Sequence, residues 1–167
     1  FKEFLDKVGH DKAVLLMHTD ARDPHGQDLP HIIETLGLNQ GQVLLSTAKV
    51  AAEELSLMYN AADFTINIGL GTLESLACGT PIIVNMTGGL QEQVTDGQKW
   101  FGIGLKPASK AVIGSLQVPY IYEDRVSKKD FIDALSDALE MNTKMYRKMS
   151  RLGQQHVQDK YNFEDYE

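Results

Sequence analysis

Residues 69–74, Gly-Leu-Gly-Thr-Leu-Glu, form the stretch of this chain best suited to holding a ligand. Gly69 and Gly71 put no Cβ between the backbone and an approaching group. If a helix opens here, the N–H groups of Thr72, Leu73 and Glu74 lack intrahelical acceptors and face outward, where an anion is favoured. The segment therefore reads as a phosphate cradle. It is not a dinucleotide fingerprint, which needs glycine where Glu74 stands and belongs in the first strand–helix turn. Nor is it a P-loop, because no Gly-Lys-Ser/Thr follows. By residue type alone, Glu74 is a first-turn acid that complements the helix dipole, worth up to ~1 kcal/mol.

Other reactive side chains are less well arranged. His18, Asp20, Asp23, His25, Asp28 and His31 crowd one polar stretch, but neither zinc spacing nor a calcium loop fits them. A solvated strand-to-helix loop with no metal is the expectation. Cys78 lies in an apolar run without a nearby base and is expected in the core. His156, Asp159 and Glu164 are expected at the surface.

The elements that must position the glycine turn follow from hydrophobic spacing. Phe1, Phe4, Leu5 and Val8 recur at helical intervals, and 13–17 is an apolar run of strand length. Asp28 can cap a helix that has Pro30 in its first turn and Leu29, Ile32, Ile33 and Leu36 on one face. Strands are expected at 42–46, 63–68 and 82–84. Helices are expected at 51–62, with Leu55, Met58 and Tyr59 on one side, at 72–78 and at 90–95. Residues 97–126 read as irregular, with room for one strand at Pro119–Tyr122, and the last forty residues as two helices. Strands and helices alternate over short connections, which predicts a Rossmann-like, doubly wound α/β fold. Its sheet is mostly parallel, with helices on both faces.

The 167 residues suffice for a single domain with a substantial core. A net charge of −7 lacks the basic face that a nucleic-acid binder needs, yet permits a locally held phosphorylated ligand. No stretch is apolar enough for a transmembrane segment, and one cysteine cannot make an internal disulfide. The chain opens inside a helix with neither cap nor starting methionine, so a fragment of a longer protein is expected.

Residues 61–97 resemble the donor-binding, C-terminal half of retaining glycosyltransferases of the GT-B fold, in the family 4 (group 1) set, and the likeness extends from about residue 13 to the C-terminus with this central part the most specific. Gly69 and Leu70 match that family's G-L, Glu74 its second glutamate, and Ala77, Cys78, Gly79 and Pro81 its A-C-G-x-P. Gly88, Gly89, Glu92, Val94, Asp96 and Gly97 match its G-G-x-x-E-x-V-x-D-G, and 53–63 is similar to its E-E-L-x-x-L-Y-x-x-A-D. The resemblance implies one nucleotide-sugar-binding domain over 1–167, lacking its first strand and an N-terminal acceptor domain. It implies a hexosyl-type transfer from a nucleotide-diphosphate sugar, without metal or other cofactor, to a sugar, lipid or protein acceptor bound by the missing domain. The isolated fragment would then be inactive.

Glu74 would hold the ribose hydroxyls, and Gly71, Thr72 and Leu73 would offer N–H groups to the diphosphate. The loop at Ser46, Lys49 and Val50 would face the base; Lys49 either neutralises a phosphate or lays its stem on apolar surface. The implied location is cytoplasmic, or at a membrane surface through the missing domain. The sequence departs from the family at 66–68, which read Ile-Asn-Ile where Glu-Gly-Phe is expected, and in a longer 105–124 segment. A gap in the chain between Ile68 and Gly69 would explain the first departure. Two alternatives accompany this reading: a GT-B-like sugar-nucleotide epimerase, and a non-catalytic scaffold that has lost the site.

Overall fold

The computed structural model describes residues 1–24, 26–66, 71–114 and 116–161. These fall into two compact units, 1–50 and 51–167.

In the first unit, α1 (Lys2–Val8) buries Phe4 and Leu5, as its spacing predicts. Strands β1 (Leu15–His18) and β2 (Val43–Ser46) pair in parallel, with Leu15 opposite Val43. Between them α2 (Leu29–Thr35) starts as predicted: the Asp28 side chain accepts from the His31 N–H at 3.1 Å, and Pro30 occupies the first turn.

In the second unit, α3 (Ala52–Ala61), β3 (Thr65–Ile66), α4 (Gly71–Ala77), β4 (Ile82–Asn85), α5 (Leu90–Val94) and β5 (Gly102–Leu105) follow in alternation. The three strands form one parallel sheet in the order β3-β4-β5. The middle strand explains the architecture. Ile82, Ile83 and Val84 are all buried, and such an unbroken apolar run requires cover on both faces. Ile82 and Val84 pack with Leu76 of α4, Val94 of α5 and Phe101, together with Leu152 and Val157 of α7 (Thr143–Lys160). Ile83 packs the other way, with Leu105 and with Ala134, Phe131 and Leu135 of α6 (Lys128–Glu140). The doubly wound α/β arrangement expected from the sequence is therefore present.

The 97–126 stretch is more ordered than expected. Besides β5 it holds an antiparallel ribbon, β6 (Ser109–Ile113) with β7 (Ile121–Arg125), in which Lys110 faces Asp124 and Val112 faces Tyr122. Most of its residues are exposed on both faces, so the apolar alternation that marks a half-buried strand is missing from the sequence.

Helix α4 ends in a glycine cap. The Thr80 N–H donates to the Ser75 carbonyl and the Gly79 N–H to that of Leu76, both at 2.9 Å, with Gly79 at φ +83°. This is a Schellman motif, which recovers carbonyls the helix end would otherwise orphan. A Cβ at Gly79 would also lie 2.9 Å from Gln154 Nε2 and 3.1 Å from Ser150 Oγ of α7. Gly79→Ala is expected to cost about 1–2 kcal/mol. The measurement is the urea midpoint, which should fall with little change in slope.

Candidate functional site

Helix α4 is short, and its orientation comes from its neighbours. Thr72 and, one turn on, Ser75 and Leu76 are all fully buried. The Thr72 hydroxyl donates to the Gln93 carboxamide of α5. Ser75 Oγ lies 2.7 Å from Thr65 Oγ1 of β3 and donates to the Thr80 carbonyl at 2.8 Å. Thr80 Oγ1 in turn donates to the Tyr59 carbonyl at the end of α3, at 2.6 Å. Leu76 meets α7 where Gly153 allows close approach, since a Cβ there would come within 2.7 Å of Leu76 Cδ2.

With those residues turned inward, Glu74 faces out. One of its oxygens, Oε2, accepts from the Tyr59 hydroxyl at 2.8 Å. Burial, then this hydrogen bond and the carboxylate charge, then Cys78, push the Tyr59 phenol far above its usual range. The phenol is therefore a fixed donor at any physiological pH, and it sets the rotamer of the carboxylate. Glu74 Oε1 takes no hydrogen bond from the described residues. A helix-dipole role alone does not account for this geometry. Tyr59 was not among the residues singled out for the site. It sits fifteen positions from Glu74 on another helix, and the available signal was its place on the half-buried side of α3 with Leu55 and Met58.

Gly71, Thr72, Leu73 and Glu74 are thus gathered at the start of α4, which follows the carboxyl end of β3 in a parallel sheet, where ligands of open α/β folds bind. Gly69 and Leu70 lie outside the described residues, as does the junction with Ile68, so the expected gap falls there too. Ile66, at the position of the family's first glutamate, is the last described residue of β3 and is exposed. Ser46, Lys49 and Val50 belong to the first unit. Ser46 ends β2 and shares a hydrogen bond with His18 Nδ1 at 3.0 Å; Lys49 is exposed and Val50 half-buried in the loop that follows.

The remaining candidates have local roles. Asp28 caps α2, and Asp20 Oδ1 accepts from the Arg22 N–H. Among the described residues no cluster of three His, Cys, Asp or Glu side chains could hold a metal ion; His25 lies outside them. Cys78 is half-buried, and burial, then the charge of Glu74, raise its thiol above the ordinary range. His156 is less superficial than expected: it stacks on Phe101 with centroids 4.2 Å apart and shares a hydrogen bond with the Glu92 carbonyl.

No family model matches the sequence. Over 77 residues the chain is 36% identical to a D-inositol 3-phosphate glycosyltransferase of Paenarthrobacter aurescens (strain TC1), covering 42% of this chain and 18% of that protein. It is 28% identical over 109 residues to one from Arthrobacter sp. (strain FB24), covering 62% of this chain and 25% of that protein. The matched part thus spans a quarter or less of these relatives. Among solved structures, a sucrose-phosphate synthase from Thermosynechococcus elongatus superposes with a TM-score of 0.65 at 20% identity, over 98% of this chain and 39% of that one. The C-terminal domain of a group 1 family glycosyl transferase from Francisella tularensis gives 0.57 at 20% identity, over 81% and 62%. The fold is the GT-B glycosyltransferase fold, and the sequence similarity is to glycosyltransferases.

The shared field of Glu74 makes Cys78 a reporter. Glu74→Gln removes the negative charge that helps to raise the thiol, so the thiolate forms at lower pH. The pH profile of Cys78 alkylation by iodoacetamide should shift to lower pH in the variant; superimposable profiles would show that the carboxylate does not act on the thiol.

Proposed function

We propose that this chain is the nucleotide-sugar-binding part of a retaining glycosyltransferase, with the donor seated at the start of α4. The observation that carries the reading is Glu74: one carboxylate oxygen is held by Tyr59 and the other is presented outward, at the carboxyl end of a parallel strand. A carboxylate has acceptor capacity for two adjacent hydroxyls, as a ribose offers. The N–H groups of Gly71, Thr72 and Leu73 begin the same helix and suit a diphosphate, whose charge grows as the sugar leaves. The similarity to glycosyltransferases supports the same reading.

In this reading the donor's ribose is held by Glu74 and the diphosphate by the helix start. The chain itself calls for no metal in that scheme. The acceptor belongs to another domain, and alignment of donor with acceptor supplies much of the rate in such transfers.

Exposed Ile66, where the resemblance leads one to expect glutamate, favours one competitor, a scaffold that kept the fold without the chemistry. Titration of the full-length protein with UDP- and GDP-sugars separates them. Binding of one of the two, weakened about 10- to 100-fold by Glu74→Ala, is expected, since charge-assisted hydrogen bonds contribute ~1.5–3 kcal/mol each. Equal affinity in wild type and variant would remove Glu74 from the ribose, and failure of both donors to bind would leave the scaffold.

A further inference from the structure

A second recess, with no residue of α4 in its lining, lies at the carboxyl ends of β4 and β5. A cavity of about 460 Å³ opens between the β4–α5 loop, at Thr87 and Gly88, and the base of the β6–β7 ribbon, at Ser109, Lys110 and Asp124. Gln91 of α5 lines it as well. The ribbon belongs to the 105–124 segment in which the sequence departs from the glycosyltransferase pattern.

The cavity is furnished with both hydrogen-bonding senses and no net charge. Lys110 Nζ and Asp124 Oδ1 form an ion pair at 3.7 Å, too long for a hydrogen bond, and the lysine side chain is 65% exposed. Asn85, which donates to the Asp124 carbonyl at 3.4 Å, ties the ribbon to β4. Of the lining acceptors, Asp124 Oδ1 is shielded from solvent and takes no hydrogen bond from the described residues. A shielded acceptor without a hydrogen-bond donor is destabilising, and a ligand's donor relieves that cost. A phosphate would meet Asp124, and a cation would meet Lys110. A hydroxyl suits both, since it donates to a carboxylate and accepts from an ammonium.

Beyond the cavity lining, the same face of the ribbon carries apolar side chains. Side chains alternate along a strand, so Lys110 and Val112 share one face with their partners Asp124 and Tyr122. Tyr122 is 65% exposed, and Val112 beside it is also exposed. A ring face next to an Asp–Lys pair matches a molecule with one C–H face and a rim of hydroxyls, which describes a pyranose.

We propose that the cavity and the Tyr122 face of the ribbon form a saccharide-binding site, distinct from the donor site at Glu74. For the role of the bound sugar as acceptor or product, this rests on the glycosyl-transfer reading; the binding itself does not.

The test uses full-length protein and short oligosaccharides of glucose, mannose, galactose and N-acetylglucosamine at millimolar concentration. Hydrogen exchange should slow in the peptides covering 86–91 and 109–125 with at least one of them. For that saccharide, Asp124→Asn should weaken binding about tenfold, as expected for losing a charged acceptor. Tyr122→Ser, at an exposed position, should weaken it without loss of fold, and UDP- or GDP-sugar affinity should stay unchanged in both variants. The proposal is overturned if none of the four protects the ribbon, or if both variants bind as wild type does. It is equally overturned if the ribbon is protected only by raising protein concentration, which indicates a second copy, or only by phosphatidylglycerol vesicles, which indicates a lipid surface. Saccharide protection without any nucleotide-sugar binding would sink the donor-site reading and leave this one standing.

Discussion

The Ser75 hydroxyl is the contact on which the second unit turns. It meets Thr65 Oγ1 on one strand and the Thr80 carbonyl leading into the next, from a helix too short to hold its own direction. A seven-residue helix has little intrinsic stability, because nucleation consumes most of what its few hydrogen bonds return. Its direction must come from buried contacts. Ser75, Thr72 and Leu76 supply them on three sides, and a buried hydroxyl with both partners satisfied fixes position more sharply than apolar packing does. Any substitution that leaves those partners in place but removes the hydroxyl strands buried oxygen atoms.

From that constraint the chemistry of α4 follows. Once Thr72, Ser75 and Leu76 face inward, the helical period leaves Glu74 facing outward, and Thr80 bonds to the carbonyl of the same residue whose phenol holds Glu74. Backbone and side chain of Tyr59 thus serve one helix from two directions. The carboxylate has one oxygen committed to Tyr59, so on the proposed reading a ligand would meet a preorganised acceptor and lose less order on binding.

Much of this was legible in the sequence, for identifiable reasons. The Ile82–Ile83–Val84 run, of strand length between turn residues, reads as a strand, and Asp28 ahead of Pro30 reads as a helix start. Glu74 stood out through its neighbours. What stayed hidden was long-range or lacked a pattern. Tyr59 and Glu74 lie on separate helices, and no local period links them. The β6–β7 ribbon carries Val112, Ile113, Tyr120 and Tyr122 on exposed positions, so the rule that ties apolar alternation to one buried face had nothing to act on. His156 looked like a polar residue on a terminal helix. Its stacking on Phe101 depends on where α7 crosses the sheet, which spacing within α7 does not encode.

The Gly153 contact also bears on how the chain acquires its structure during synthesis. Gln154 Nε2 reaches the Ala77 carbonyl across 77 positions, and Leu152 and Val157 complete the core cluster that holds Leu76. Contacts of such long separation form late, because the loop between them must first be closed. As the polypeptide leaves the ribosome, β4 and α4 emerge well before the helix that covers them. During that interval Leu76 and Val84 have no lid, and the nascent chain exposes the surface that chaperones recognise.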